Sequence, residues 1–190
     1  MASKTIGRKG FAQVEPNHLS GIVTGQIYAQ LPVAAAMGDY IENGRFAKYD
    51  YAEGEVNLAG AGEWMLIYNE EKKYDERFQN HKDYVMKKTD FIDGVMVPRL
   101  IKTNVGDIFT TNAFGITTGK NSSLDAAEND VTGLTIADTT SLPTLAVDKT
   151  TGYLVISTSA NADADGPMFE IAKIYTLADG QDALKLVRIK

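Results

Sequence analysis

Apolar and polar positions alternate along this chain in short runs, and Gly, Pro, Asn-Gly or Asp-Gly interrupts them every few residues. That pattern predicts strands and turns rather than long helices. Residues 169–175 and 184–189 alternate on either side of Ala178-Asp179-Gly180-Gln181, so they predict a closing hairpin. In its first strand, Phe169, Ile171 and Tyr175 fall on one face, with Lys173 interrupting, and Ala172 and Ile174 fall on the other. Apolar residues on both sides predict that neither face is wholly exposed. Thr150-Thr151-Gly152 leads into a β-branched strand over 153–158. Residues 63–68 read as a strand buried on both faces or lying at a subunit contact. Residues 95–101 read as another, with Pro98 marking an edge or bulge. Asn43-Gly44 lies between Tyr40-Ile41 and Phe46-Ala47 and predicts a second hairpin, because both turn residues tolerate positive φ.

Other stretches lack this regularity. Gly7, Gly10, Pro16, Gly21 and Gly25 break up residues 1–30, leaving no helical stripe. The expectation is an extended N-terminal arm over 1–34, with a short strand near Ile27-Tyr28. Its apolar residues Phe11, Val14 and Leu19 need burial, which a contact with another chain would provide. Residues 35–190 then form a β-rich domain with a long polar loop near 117–138. Residues 70–88, charged and aromatic, read as a short helix or a long exposed loop. Gly38-Asp39-Tyr40-Ile41 through Phe46 is echoed by Gly106-Asp107-Ile108-Phe109 through Phe114, a match that reflects either chance or shared turn chemistry, or two similar β units packed in one barrel or sandwich. The predicted fold class is mainly β: a compact barrel or sandwich with an extended N-terminal arm and at most one short helix.

Composition narrows the function classes. A hydrophobic share of 44% supports a sizeable core, and a net charge of −6 makes a poor general binder of nucleic-acid phosphates. The acids concentrate late: residues 107–170 hold nine against only Lys120 and Lys149. With no cysteine there is no thiol nucleophile, disulfide or zinc–thiolate site. The first residues lack the apolar stretch of a signal peptide, and no run approaches a membrane helix. Neither nucleic acid nor membrane is an expected partner.

Candidate chemistry is sparse. His18 and His81 are the only histidines, and neither neighbours a nucleophile motif. Gly115-Ile116-Thr117-Thr118-Gly119-Lys120-Asn121 has one residue too few for a phosphate-binding loop, and Asn121 replaces the Ser or Thr that would hold magnesium. Asn161-Ala162-Asp163-Ala164-Asp165-Gly166 begins like a calcium loop. Its twelfth position is Ala172, where a bidentate glutamate belongs. The carboxylates Glu70-Glu71 and Asp75-Glu76 sit among balancing lysines and read as a solvated face. Trp64 and the tyrosines fit a core better than a carbohydrate surface. The expectation is a non-enzymatic chain with no catalytic residues, cofactor or bound metal.

The glycine-broken residues 4–25, the run Met37-Gly38-Asp39-Tyr40-Ile41-Glu42-Asn43-Gly44-Arg45-Phe46 and the β-rich end over 169–189 together resemble virion structural proteins of tailed bacteriophages. The likeness is greatest to head decoration (capsid-stabilising) proteins. The resemblance implies a β domain on the outside of the capsid, homo-oligomeric and most often trimeric. Its partner would be the major capsid protein, its location the virion, and its N-terminal arm would contact neighbouring subunits. A tail-tube or head–tail joining protein is the alternative, and a carbohydrate- or surface-binding β module is the second alternative.

Overall fold

The structure is a computed structural model that describes residues 2–23, 27–28, 31–69, 84–88, 96–115, 117–118, 130–131 and 133–190. In chain order its first strands are β1 (Lys4–Ile6), β2 (Val14–His18), β3 (Ile27–Tyr28), β4 (Tyr40–Ile41), β5 (Phe46–Asp50), β6 (Glu55–Asn57), β7 (Met65–Ile67) and β8 (Met86–Lys87). There follow β9 (Leu100–Ile101), β10 (Ile108–Thr111), β11 (Thr117–Thr118), β12 (Asp130–Val131), β13 (Leu134–Ile136), β14 (Thr144–Val147), β15 (Leu154–Ile156), β16 (Met168–Thr176) and β17 (Asp182–Arg188). Among the described residues, a short helical turn (Ser20–Val23) and a 3-10 turn (Ala35–Met37) interrupt them. The chain is mainly β.

Two antiparallel sheets dominate. One has six strands in the order β15-β14-β16-β17-β10-β2, and the other five in the order β3-β9-β7-β5-β6. Both stay open, and among the described strands no sheet closes into a barrel. Phe46 of β5 and Leu66 of β7, with Trp64, pack against Phe109, Leu145, Phe169, Leu184 and Leu186 of the six-stranded sheet. The rings of Phe46 and Phe109 each lie against Phe169, with centroids 5.4 and 5.5 Å away. Alternation sends the neighbours Ala47, Tyr49, Met65 and Ile67 into a second core with Val33, Met37, Ile41, Met86 and Leu100. The five-stranded sheet is therefore apolar on both faces. That explains the continuous run around Met65–Ile67, which the sequence predicts as doubly buried.

The closing hairpin forms as predicted, with β16 and β17 paired along their length and Gly180 at φ +83° in the turn. Its facing differs from simple alternation. The register shifts between Ile171 and Lys173, so Ile174 rather than Tyr175 continues the core face begun by Phe169 and Ile171. Ala172, Lys173 and Tyr175 are exposed while Met168 is half-buried, so the outer face is partly open but not wholly exposed.

Three further expectations are corrected. Asn43-Gly44 makes a turn, but β4 and β5 do not pair across it: β4 pairs with β8, and β5 with β6 and β7. Within the polar stretch near 117–138, Leu134–Ile136 is a strand paired with β1, and Leu134 and Ile136 lie in the main core. Residues 119–129 of that stretch lie outside the described residues, as do 70–83. The N-terminal segment over 2–23 does not project: β1 and β2 are paired within the fold, and Ile6 and Leu19 are part of the main core. Val33, at the end of the 1–34 segment, bridges Val56, and both belong to the second core. Gly38 and Gly106, the glycines of the internal echo, share φ values of +91° and +93°, but their strands enter unrelated sheets. Turn chemistry accounts for the match.

Two substitutions test this packing. Ile171→Ala should cost about 2–5 kcal/mol in chemical denaturation, as for a buried aliphatic side chain, whereas a loss below about 0.5 kcal/mol would place Ile171 at the surface. Gly152 has φ +76°, its carbonyl accepts from Phe46 N at 2.7 Å, and an added Cβ would collide with Phe46 O. Gly152→Ala should therefore destabilise by more than about 1 kcal/mol in the same assay.

Candidate functional site

The least ordinary chemistry in the molecule surrounds a carboxylate with no solvent exposure. Glu42 and Arg45 flank the Asn43-Gly44 turn, and both are buried. Arg8, delivered by the strand-like N-terminal segment, donates from Nη2 to Glu42 Oε2 at 2.8 Å, and both side chains are fully buried. Glu42 Oε1 accepts the backbone N–H of Ala12 at 3.1 Å, and the Tyr153 hydroxyl donates to Oε2. Arg8 also donates to the carbonyls of Asn112, Phe114 and Gly115 at 3.1–3.3 Å. The hub thus ties together the N-terminal segment, the turn before β5, the end of β10 and the turn before β15.

Electrostatics follow from this burial. The guanidinium carbons of Arg8 and Arg45 each lie 5.6 Å from the centroid of the Tyr153 ring. Burial pushes the Tyr153 hydroxyl far above its ordinary value, and the Glu42 charge adds to the shift, while the two arginines oppose it. Burial lowers the Arg45 pKa, an effect opposed by Tyr153 and Glu42. Arg45 has no carboxylate within ion-pair distance among the described residues. Instead its Nε donates to Thr151 O at 2.7 Å, and its Nη1 to Met37 O at 2.6 Å and Tyr40 O at 3.3 Å.

Two concavities accompany the hub and the main core. A cavity of about 220 Å³ lies beside the hub, lined by Gly38, Asp39, Tyr40, Arg45, Thr150 and Thr151 among others. A larger cleft of about 350 Å³ is lined by Lys48, Glu63, Trp64, Asp163, Arg188 and Lys190. In the cleft several of the charges are engaged within the fold. Glu63 pairs with Lys102 at 2.7 Å, Arg188 donates to Thr103, and Lys190 donates to Ala164 O.

The residues singled out in the sequence do not converge. Phe11 packs on Tyr40, ring centroids 5.4 Å apart, in a small cluster with Val85. Leu19 is part of the main core, and Val14 packs half-buried against it. All three find their burial inside the chain. His18 is exposed at the end of β2, while His81 and the carboxylates at 70, 71, 75 and 76 lie outside the described residues. In the calcium-like loop, Asp163 Oδ2 accepts from the Trp64 indole at 2.7 Å and Oδ1 from Asp165 N at 3.2 Å. The indole hydrogen bond holds the Asp163 carboxyl below its usual range. Among the described residues no three His, Cys, Asp or Glu side chains converge as a metal site. Gly115 gives its carbonyl to Arg8, and Thr117–Thr118 is paired strand rather than a loop entering a helix. Trp64 is buried, with Lys48 Nζ 4.6 Å from its ring centroid, so the ring is not a free sugar platform.

Sequence reading missed Glu42, Arg45 and Tyr153 as a group. The available signal was weak: two charges flanking a turn between apolar dipeptides.

Glu42→Ala should lower stability by about 3–5 kcal/mol, because it leaves buried guanidiniums without their counter-charge. For Tyr153 the sign is set by its raised pKa. Above pH 10, its ordinary value, the unfolded chain loses the phenolic proton while the folded chain keeps it. Stability therefore falls as pH rises, by about 1.4 kcal/mol per unit from this group. Denaturation between pH 10 and 12 should show that slope, reduced by about one proton in Tyr153→Phe. An unchanged slope would mean the hydroxyl is solvated. Comparison of the chain with known protein families, with curated proteins and with solved structures finds no match.

Proposed function

We propose that the chain is a non-enzymatic structural protein of a phage virion, one that binds the outside of the capsid and stabilises it. The observation that supports this reading most directly is the one-sidedness of the six-stranded sheet. Its inner face is sealed by Phe109, Leu145, Phe169 and Leu186. On the opposite face the register sets Val155, Ala146 and Met168 in one row, and Thr144, Glu170, Val187, Ile108 and His18 in the next. Val155, Met168, Val187 and Ile108 are only half-buried there, and Ile189, just past β17, is 43% exposed. A broad sheet face with an apolar stripe and a polar surround suits docking against a shell or a second copy. Repetition over a shell would supply avidity that one such face lacks. The major capsid protein is the proposed partner and the virion the proposed location, with a trimer the favoured oligomer. Because residues 2–23 are built into the domain, the proposed contact is this sheet face rather than Phe11 and Leu19.

The alternative, a tail-tube or head–tail joining protein, would assemble through its own sheets. The open edge at β15 favours it, since an unpaired strand is a template for another. Pro16 in the opposite edge strand, β2, removes a backbone donor and discourages head-to-tail strand pairing. On balance the edges favour docking over ring formation.

Size-exclusion chromatography with light scattering, run with and without empty capsids, tests both readings. The expected result is a small oligomer that co-elutes with preformed shells. Val187→Glu should reduce that co-elution at least tenfold while the protein stays folded. Undiminished shell binding by the variant, or spontaneous rings and tubes of the wild type, would overturn the reading.

A further inference from the structure

We infer that the 220 Å³ cavity beside Arg45 is a binding site for a small oxyanion, a carboxylate or a phosphate group. The inference does not depend on the virion reading. It starts from charge. Two guanidiniums share one carboxylate in the hub, and Glu42 is hydrogen-bonded to Arg8, so Arg45 has only the more distant part of that charge and no carboxylate in direct contact among the described residues. A buried charge is normally paired, because desolvation without a counter-charge is costly. Arg45 is only 7% exposed, yet its partners among the described residues are three neutral carbonyls and an aromatic ring.

Geometry supplies the rest. Nε and Nη1 of Arg45 are committed to Thr151, Met37 and Tyr40. Nη2 makes no hydrogen bond to a described residue, and it is not sealed from solvent. Because Nε and Nη1 hold the guanidinium plane in place, Nη2 is a pre-oriented donor. An oxygen anion accepting from it would gain a charge-assisted hydrogen bond without ordering the side chain further. The cavity wall adds Thr150 and Thr151, and Gly38 leaves one side open, since an added Cβ there would meet nothing within 4 Å. Asp39 is the one acid on the wall. It is largely exposed and pairs with Lys88 at 3.5 Å, so its repulsion is partly screened.

The test uses the whole protein. Sodium acetate and sodium phosphate are titrated against sodium chloride at constant ionic strength, with thermal unfolding and the Arg45 Nε–Hε NMR resonance as readouts. The expected result is a saturable stabilisation by acetate or phosphate beyond chloride, with the Arg45 resonance shifting on the same curve. Asp39→Asn removes the repulsive charge and frees Lys88, so it should tighten binding about threefold or more. Arg45→Lys should abolish the anion-specific shift, and if that variant fails to fold, the resonance and Asp39→Asn decide alone. Equal effects of chloride and the oxyanions, an unmoved Arg45 resonance, or an Asp39→Asn affinity no higher than wild type would each overturn the site. A tripeptide Gly-Glu-Gly with blocked ends identifies the source of the anion. Binding tighter than acetate points to an acidic side chain of a partner, equal binding to a free small anion, and both uphold the site.

Discussion

Burying Glu42 imposes a demand that the rest of the molecule is arranged to meet. A carboxylate with no solvent exposure costs several kcal/mol to desolvate unless a cation and donors replace its water. Here the cation comes from Arg8, 34 residues earlier, and the hydroxyl from Tyr153, 111 residues later. Satisfying one side chain therefore brings the N-terminal segment, the turn before β5 and the turn before β15 to one point. An apolar replacement of the whole pair would avoid the desolvation, whereas removing one partner alone leaves the other charge buried and unpaired. It also explains why the N-terminal segment is not a loose arm. Releasing Arg8 would strand Glu42.

The same logic separates the two large sheets. The five-stranded sheet lies between two apolar clusters and shows little alternation, because both faces need apolar side chains. The six-stranded sheet has one core face and one face toward solvent. Its bulge after Ile171 keeps Ile174 inside while turning Tyr175 out. A sheet covered on both sides has no face left to offer a partner. The proposal of shell docking therefore belongs to the six-stranded sheet.

Two kinds of recognition are then available, and they differ in physics. The sheet face offers area and apolar contact, which suits a large partner repeated many times. The Arg45 cavity offers one oriented charge in a small volume, which suits a single anionic group. Lys48, Trp64 and Asp163 show a third outcome. There a lysine, an indole and a carboxylate face one another within the fold.

Local chemistry was legible in the sequence. The closing hairpin around Asp179-Gly180, the strand after Gly152, the doubly buried run near Met65–Ile67 and the mainly β class all follow from turn residues and period. The sequence also marked Asn43-Gly44 as a turn, but not that β4 leaves it for β8 while β5 joins β7. It showed that Phe11 and Leu19 needed burial, but not that the burial lay within the same chain. Glu42 and Arg45 read as charges flanking a turn and Tyr153 as the start of a strand, so the hub and its cavity were invisible. The physical reason is range. Turn residues and periodicity act over a few positions through backbone dihedrals and facing. The pairing of Arg8, Glu42 and Tyr153, and of β1 with β13, depends on which distant groups can satisfy one another's charge, donors and apolar area, and only the tertiary structure decides that.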